Sequence, residues 1–166
     1  TMDTVLDICS WLLEQGADRD ALVLAVGGGI TTDMSGFAAS IYKRGVRYAN
    51  VPTTLLAQVD AALGGKTGVN HEKYKNILGV ICQPEFTYLC PQVLESLPRR
   101  DFISGAAEML KTFIIEDDDG DVTSHDHMLA VLDLCEVRVA DGDLAFCTGF
   151  EERAVDHLCR TTDVER

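Results

Sequence analysis

Residues 21–29 read Ala21-Leu22-Val23-Leu24-Ala25-Val26-Gly27-Gly28-Gly29. An uninterrupted apolar run passes directly into three glycines. That pattern predicts a short strand buried on both faces of a parallel sheet. Glycine at the end of such a strand lets backbone amides approach a ligand and tolerates dihedrals closed to other residues. A helix starting just beyond would present its N-terminal amides and positive dipole end to a pyrophosphate. Such a helix is expected from about Thr31–Asp33 through Phe37 to Tyr42, with Gly45 ending it. A second strand is expected over Val46–Val51, closed by Pro52, then a helix over Leu55–Leu63 capped by Thr53 or Thr54. Strand, helix, strand, helix reads as an α/β unit.

Upstream, Val5, Ile8, Cys9, Leu12 and Leu13 fall at helical spacing. They predict a helix over Asp3–Gln15, capped by Asp3 or Thr4 and stopped by Gly16. Downstream, Gly64–Gly68 reads as a loop and His71–Asn76 as polar and irregular. Asn76–Ile81 and Phe86–Leu89 read as short strands around the turn Gln83-Pro84. Pro91 opens a short helical piece that Leu97-Pro98 ends, and Asp101 is the expected cap of a helix over Phe102–Ile115. Beyond it Met128–Val139 and Leu144–Cys159 carry helical patterns, with Asp117–Asp121 as a solvated linker. The expected boundary lies near Leu97. Residues 1–97 form the α/β portion and residues 98–166 the helical portion.

The 166-residue chain carries a formal net charge of −13. Thr1–Ile115 holds 12 acidic and 10 basic residues, whereas Glu116–Arg166 holds 15 and 4. A duplex-binding surface needs clustered positive charge, so nucleic acid is excluded as a partner. A few basic residues beside glycines still suit a small anionic substrate. The six cysteines at 9, 82, 90, 135, 147 and 159 form no CxxC pair. No signal peptide and no apolar run of membrane-spanning length is read in the chain. The expectation is reduced cysteines in a cytoplasmic protein with no membrane partner. The ends carry no capping signal, which reads as a piece of a longer protein.

The glycine motifs match neither common nucleotide fingerprint. GxGxxG would need glycine at 32, where Thr32 stands, and a Walker A loop would need glycine at 60, where Asp60 stands. Lys66, set among Gly64, Gly65 and Gly68, is either a phosphate binder or a surface lysine in a turn. Lys73, Lys75 and Asn76 add a second polar cluster, each by itself readable as solvated surface. Glu108 and Lys111 lie three apart on one helix face. They form either a surface ion pair or a carboxylate directed into a cleft, toward a metal. His125-Asp126-His127 sits in an acidic segment and reads as an exposed loop. His157 has no partner that would nominate it for chemistry.

Taken in order, the motifs resemble the 3-dehydroquinate synthase family of sugar-phosphate cyclases. They are Gly27-Gly28-Gly29-Ile30-Thr31-Thr32-Asp33, Gly36-Phe37-Ala38-Ala39, Arg44-Gly45, Pro52 through Asp60, and Gly64 through Asn70. Lys75-Asn76-Ile77-Leu78-Gly79, Gln83-Pro84, Leu97-Pro98 and Ala107-Glu108-Met109-Leu110-Lys111 continue the series. The resemblance is dense from Leu22 to Ile115. It implies an α/β NAD-binding domain followed by a helical domain that binds a metal, Zn2+ or Co2+, with the active site in the cleft between them. The implied activity is NAD-dependent conversion of 3-deoxy-D-arabino-heptulosonate 7-phosphate to 3-dehydroquinate with loss of phosphate, in the shikimate pathway.

By the same resemblance Gly28, Gly29 and Asp33 touch NAD, and Thr53 and Thr54 its nicotinamide side. Arg44 holds the substrate phosphate of a neighbouring subunit, which implies a homodimer. Asp60, Lys66 and Asn76, assisted by Lys75, hold substrate hydroxyls and the reacting region. Glu108 is a metal ligand and Lys111 its substrate-binding neighbour. Thr32 departs from the family's usual glycine. The family's metal-binding histidines would lie beyond Arg166, so this stretch is expected to hold about half the site and to be inactive alone. The rival readings are another sugar-phosphate cyclase, a polyol dehydrogenase of the same superfamily, and a non-catalytic cofactor-binding or structural domain.

Overall fold

The computed structural model describes residues 1–116. They fall into two compact units, Thr1–Thr53 with Ala61–Leu89, and Thr54–Asp60 with the residues from Cys90 onward. The expected helices Met128–Val139 and Leu144–Cys159, the Asp117–Asp121 linker, and His125, His127 and His157 lie outside the described residues.

The first unit opens with helix α1, Met2–Glu14. Its cap is Thr1, not Asp3 or Thr4. The Thr1 hydroxyl accepts the Thr4 N–H at 3.4 Å, which places Asp3 in the first turn, where its charge faces the positive helix end. Gly16, at φ +71°, supplies the expected stop. Strands β1, Leu22–Gly27, and β2, Arg47–Pro52, pair in parallel, with Leu22 opposite Arg47 and Gly27 opposite Pro52. Helix α2, Gly29–Ile41, connects them. It begins two to four residues earlier than expected, because Gly28 itself caps it.

Two buried clusters hold this unit together. Leu12, Ala39, Tyr42, Val46 and Tyr48 form one, joined by Ile8, Cys9 and Val23. Val5, Phe37, Ala38 and Val69 form the other. Burying each large apolar side chain contributes about 1.5–3 kcal/mol.

β1 departs from expectation in one respect. Its inward residue Ala25 is 2% exposed, but Leu22, Leu24 and Val26 stand 45, 52 and 56% exposed. Alternate side chains of a strand point to opposite faces. The face that carries Val23 and Ala25 is covered, and none of the described residues covers the other.

The two short strands expected downstream take different forms. Phe86–Leu89 contributes one bridge, Asn50 opposite Thr87, on the free side of β2. Asn76–Ile81 lies within β4, Tyr74–Ile81, which pairs antiparallel with β3, Lys66–His71. The expected Gly64–Gly68 loop therefore ends at Gly65, and Lys66 is the first residue of a strand. Glu72, at φ 51°, turns the chain between His71 and Tyr74, so the expected irregular stretch is mostly hairpin.

In the second unit Thr54 caps a short turn as expected, accepting the Ala57 N–H on its hydroxyl at 3.2 Å. Over Ala57–Ala61 that turn is π-helical, where a helix over Leu55–Leu63 was expected. Gln58, 1% exposed, donates its side-chain amide to the Cys90 carbonyl at 3.1 Å. A 3-10 segment covers Pro91–Ser96, and α3 covers Arg99–Glu116. The Asp101 and Phe102 amides donate to Pro98 O at 2.9 and 3.0 Å. The helix thus starts ahead of Asp101, which lies in its first turn rather than at its cap. Phe102, Ala106 and Met109 form the buried stripe of α3, at the i, i+4, i+7 spacing of one helix face. A Cβ on Gly105 would come within 2.6 Å of Leu55 Cβ and Leu56 N, so glycine permits the close approach of these segments. No helix among the described residues is long and apolar enough to cross a membrane.

Candidate functional site

The triple glycine stands where β1 gives way to α2. Gly28 is the N-cap and offers no side-chain bond to the first turn. The earliest amides that turn back to its carbonyl are those of Thr31 and Thr32, at 2.9 and 3.1 Å. The N-terminus of a 13-residue helix is thus presented without a side-chain acceptor, which suits a pyrophosphate. A Cβ on Gly27 would meet the Thr31 hydroxyl at 2.6 Å, and one on Gly29 would meet Ala61 Cβ at 2.9 Å. Gly27 and Gly29 are therefore required by packing as well as by any ligand. Gly28 is extended, at φ −76° and ψ −176°, a conformation open to any residue. Thr32, the departure from GxGxxG, is 2% exposed and returns its hydroxyl to Gly29 O at 3.0 Å. It fits inside the first turn without disturbing it.

The end of β2 adjoins this junction, since Thr53 N–H donates to Gly27 O at 2.9 Å. Gly28, Gly29 and Thr53 are thus brought together at the carboxyl ends of two parallel strands, where open α/β sheets bind ligands. Asp33 sits half-buried on α2. Burial, with smaller contributions from the charges of Cys82 and Asp33, pushes the Tyr48 phenol from the ordinary value of 10.0 up to about 12.

Folding therefore keeps a proton that the unfolded chain releases near pH 10. The stability this supplies is complete below pH 10 and is lost as pH rises toward 12. Tyr48→Phe is expected to flatten that part of the alkaline loss. Thermal melts of both proteins between pH 9 and 12 check it.

Lys66 follows Gly64 and Gly65, whose φ values of +76° and +69° favour glycine. It is exposed and has no ion-pair partner among the described residues. Asn76, at φ 50°, donates its backbone N–H to Asn70 Oδ1 at 2.8 Å, so the side chain of one hairpin strand fixes the other. Lys75 is its exposed neighbour.

Arg44 occupies an unusual turn. Lys43, Arg44 and Gly45 have φ of 48°, 71° and 112° in succession. Tyr42 and Lys43 both donate to Ala17 O, at 2.8 and 2.6 Å, which fixes the turn and leaves Arg44 outward.

Within the second unit, Asp60 is exposed on the π-helical turn. Glu108 and Lys111 form an ion pair one helical turn apart. Among the described residues no group of three His, Cys, Asp or Glu side chains is placed to hold a metal. A catalytic zinc takes three protein ligands, and Glu108 alone does not make that set. No chemical step is therefore derived through a metal. Two functional candidates escaped the motif reading, Tyr48 and Asn50. The available signal was a polar residue, Asn50, inside the expected strand Val46–Val51.

A family profile described as 3-dehydroquinate synthase N-terminal matches residues 1–104. A 3-dehydroquinate synthase of Geotalea uraniireducens is 49% identical over 115 residues, covering 69% of this chain and 32% of the relative. One of Acidithiobacillus ferrooxidans is 47% identical over 132 residues, covering 80 and 36%. The chain thus spans about a third of the length of these curated relatives.

Among solved structures, 2-epi-5-epi-valiolone synthase from Streptomyces hygroscopicus, with NAD+ and Zn2+ bound, is 34% identical. It aligns at a TM-score of 0.72, covering 94% of this chain and 42% of its own. A 2-deoxy-scyllo-inosose synthase complexed with carbaglucose-6-phosphate, NAD+ and Co2+ is 35% identical at a TM-score of 0.65, covering 67 and 30%. NADH-dependent butanol dehydrogenase A from Thermotoga maritima, at 15% identity and a TM-score of 0.70, shares the fold. The profile match over most of the described residues, on an α/β segment of this topology, shows that the chain belongs to the 3-dehydroquinate synthase family.

Proposed function

We propose that the protein converts 3-deoxy-D-arabino-heptulosonate 7-phosphate to 3-dehydroquinate, with loss of phosphate, in the cytoplasm and as a homodimer. The carrying observation is the α2 N-terminus, presented behind three glycines with no side-chain cap. When bound, NAD supplies a hydride acceptor that takes and later returns the hydride of a substrate carbinol.

The chain's own residues do the rest. The first-turn amides of α2 hold the pyrophosphate, and Asp33, Thr53 and Thr54 orient the cofactor. Arg44 grips the substrate phosphate. Asp60 and Asn76 hold substrate hydroxyls, with Lys75 assisting. Lys66 offsets negative charge as phosphate departs. Glu108 contributes a carboxylate to the metal domain, with Lys111 beside the substrate. We place the domain boundary near Leu97.

A second reading is a cyclase for another sugar phosphate. It rests on the 35% identity to a synthase complexed with carbaglucose-6-phosphate, below the 49 and 47% to the two 3-dehydroquinate synthases.

Titration with NAD, followed by phosphate-release assays with the heptulosonate phosphate and with glucose 6-phosphate, separates the readings. Release from the first substrate alone supports the proposal, and release from the second alone replaces it. Gly28→Ala is expected to weaken NAD binding by roughly tenfold, because the methyl group intrudes where backbone meets pyrophosphate. Its melting temperature should stay within about 2 °C, since Ala fits the extended dihedrals at 28. Unaltered NAD affinity in Gly28→Ala would place the cofactor elsewhere.

A further inference from the structure

We propose that Tyr48 and Asn50 are positioning residues that fasten both ends of the Ala62–Gly65 segment and so set where Lys66 stands. This rests on the reading of Lys66 as the cation that meets substrate. The two side chains leave the same face of β2, two residues apart, and are 2 and 3% exposed.

The front anchor is Asn50, whose Nδ2 donates to Ala62 O at 3.3 Å. The Thr87 hydroxyl donates to the same carbonyl at 3.4 Å. The back anchor runs through Cys82. The Tyr48 hydroxyl donates to Cys82 O, and Cys82 N–H donates to Gly65 O at 2.8 Å. A Cβ on Gly65 would meet Cys82 O and the Gln83 side chain at 2.9 Å, so the segment lies in contact with its anchor. Lys66 is the next residue, entering β3 opposite Ile81.

Packing alone does not account for these choices. Asn50 Oδ1 is buried and has no hydrogen-bond partner among the described residues. An apolar side chain of that size would avoid the penalty of stranding an acceptor. The amide is explained by its donor, which reaches the segment that precedes Lys66. The Tyr48 ring is confined as well. A Cβ on Gly36 would come within 3.0 Å of Tyr48 Cε2 and 2.6 Å of Thr67 Cγ2, so ring, α2 and β3 are in close contact. A group held this way keeps its hydroxyl on one acceptor. The phenol is protonated, and so a donor, across the neutral range. The residue that follows the same strand, Thr53, donates its N–H to Gly27 O. One rigid element therefore places both the cofactor junction and the lysine.

The test compares Tyr48→Phe and Asn50→Leu with wild type, in the protein at its full natural length. Amide exchange at residues 62–66 is expected to run about tenfold faster in each variant, the loss of one hydrogen bond from the segment. With the heptulosonate phosphate, kcat should fall at least about tenfold while KM for NAD is unchanged, as misplacement by an ångström is worth up to about 10²-fold. Wild-type kcat in both variants overturns the proposal, whatever the exchange rates. So does unchanged exchange accompanied by equal losses of kcat and NAD affinity.

If wild type releases no phosphate from that substrate, the functional reading fails separately. The positioning claim is then judged by titrating inorganic phosphate. Weaker binding in both Lys66→Ala and Tyr48→Phe supports it, and wild-type affinity in Tyr48→Phe overturns it. Should Tyr48→Phe fail to fold, Asn50→Leu and Thr87→Val carry the same readouts.

Discussion

Replacing Lys66 with alanine is expected to lower phosphate release by roughly 10³-fold while the protein remains folded. The two effects separate because of where Lys66 sits. It is exposed and pairs with no carboxylate among the described residues, so its removal leaves no buried group stranded. Surface substitutions of this kind usually change stability by less than about 0.5 kcal/mol. Its position, by contrast, is fixed by two glycines with positive φ before it and by β3 after it. A cation held in place acts on developing negative charge without reorganising first. Lys66→Arg keeps the charge but spreads it over a planar fork, and should restore only part of the rate. Phosphate-release assays on the three proteins, with melting temperatures alongside, check this. Near-normal turnover in Lys66→Ala removes the residue from the reacting centre.

Arg44→Gly is expected to stabilise the fold and impair the enzyme together. A left-handed conformation at a residue with a Cβ costs roughly 1–2 kcal/mol, and Arg44 holds φ 71° on an exposed turn. Glycine relieves that strain and gives back about 0.5–1 kcal/mol through the entropy of the unfolded chain. A net gain of about 0.5–1 kcal/mol remains. Backbone strain retained at an exposed arginine points to a use for its side chain. If that use is the substrate phosphate, losing the charge-assisted bonds raises KM by about tenfold or more. Arg44→Ala is the control, because it removes the charge and leaves the strain. It should show the KM increase without the rise in melting temperature. A more stable Arg44→Gly with unchanged KM would detach the residue from substrate.

The order of elements was legible in the sequence because each follows from local chemistry. Leu22–Val26 is a short apolar run, Val46–Val51 is a β-prone stretch closed by Pro52, Phe37–Tyr42 has helical spacing, and Gly16 and Gly45 sit where a left-handed residue is needed. Helix starts were less legible. Thr1 rather than Asp3, and Gly28 rather than Thr31, open their helices. Several residues in each stretch satisfy the same capping preference, and only the path of the preceding chain selects one.

For the candidate site, ordered motifs identified the family and nominated Gly28, Gly29, Lys66 and Glu108. They left Tyr48 and Asn50 unremarked, since an asparagine within an expected strand is a weak signal and a tyrosine there is none. Their significance comes from carbonyls 34 and 12 residues away, at Cys82 and Ala62.

By itself, then, the sequence determined the α/β start, the glycine junction and the family, through period, turn chemistry and motif order. The tertiary structure alone decided that one face of β1 is left uncovered by the described residues, that Lys66 begins a strand, and that Arg44 stands on a strained turn. Those outcomes depend on which neighbour a strand finds and which donor a carbonyl meets. Such long-range pairings are chosen by burial and hydrogen-bond satisfaction across the fold, and no local pattern encodes them.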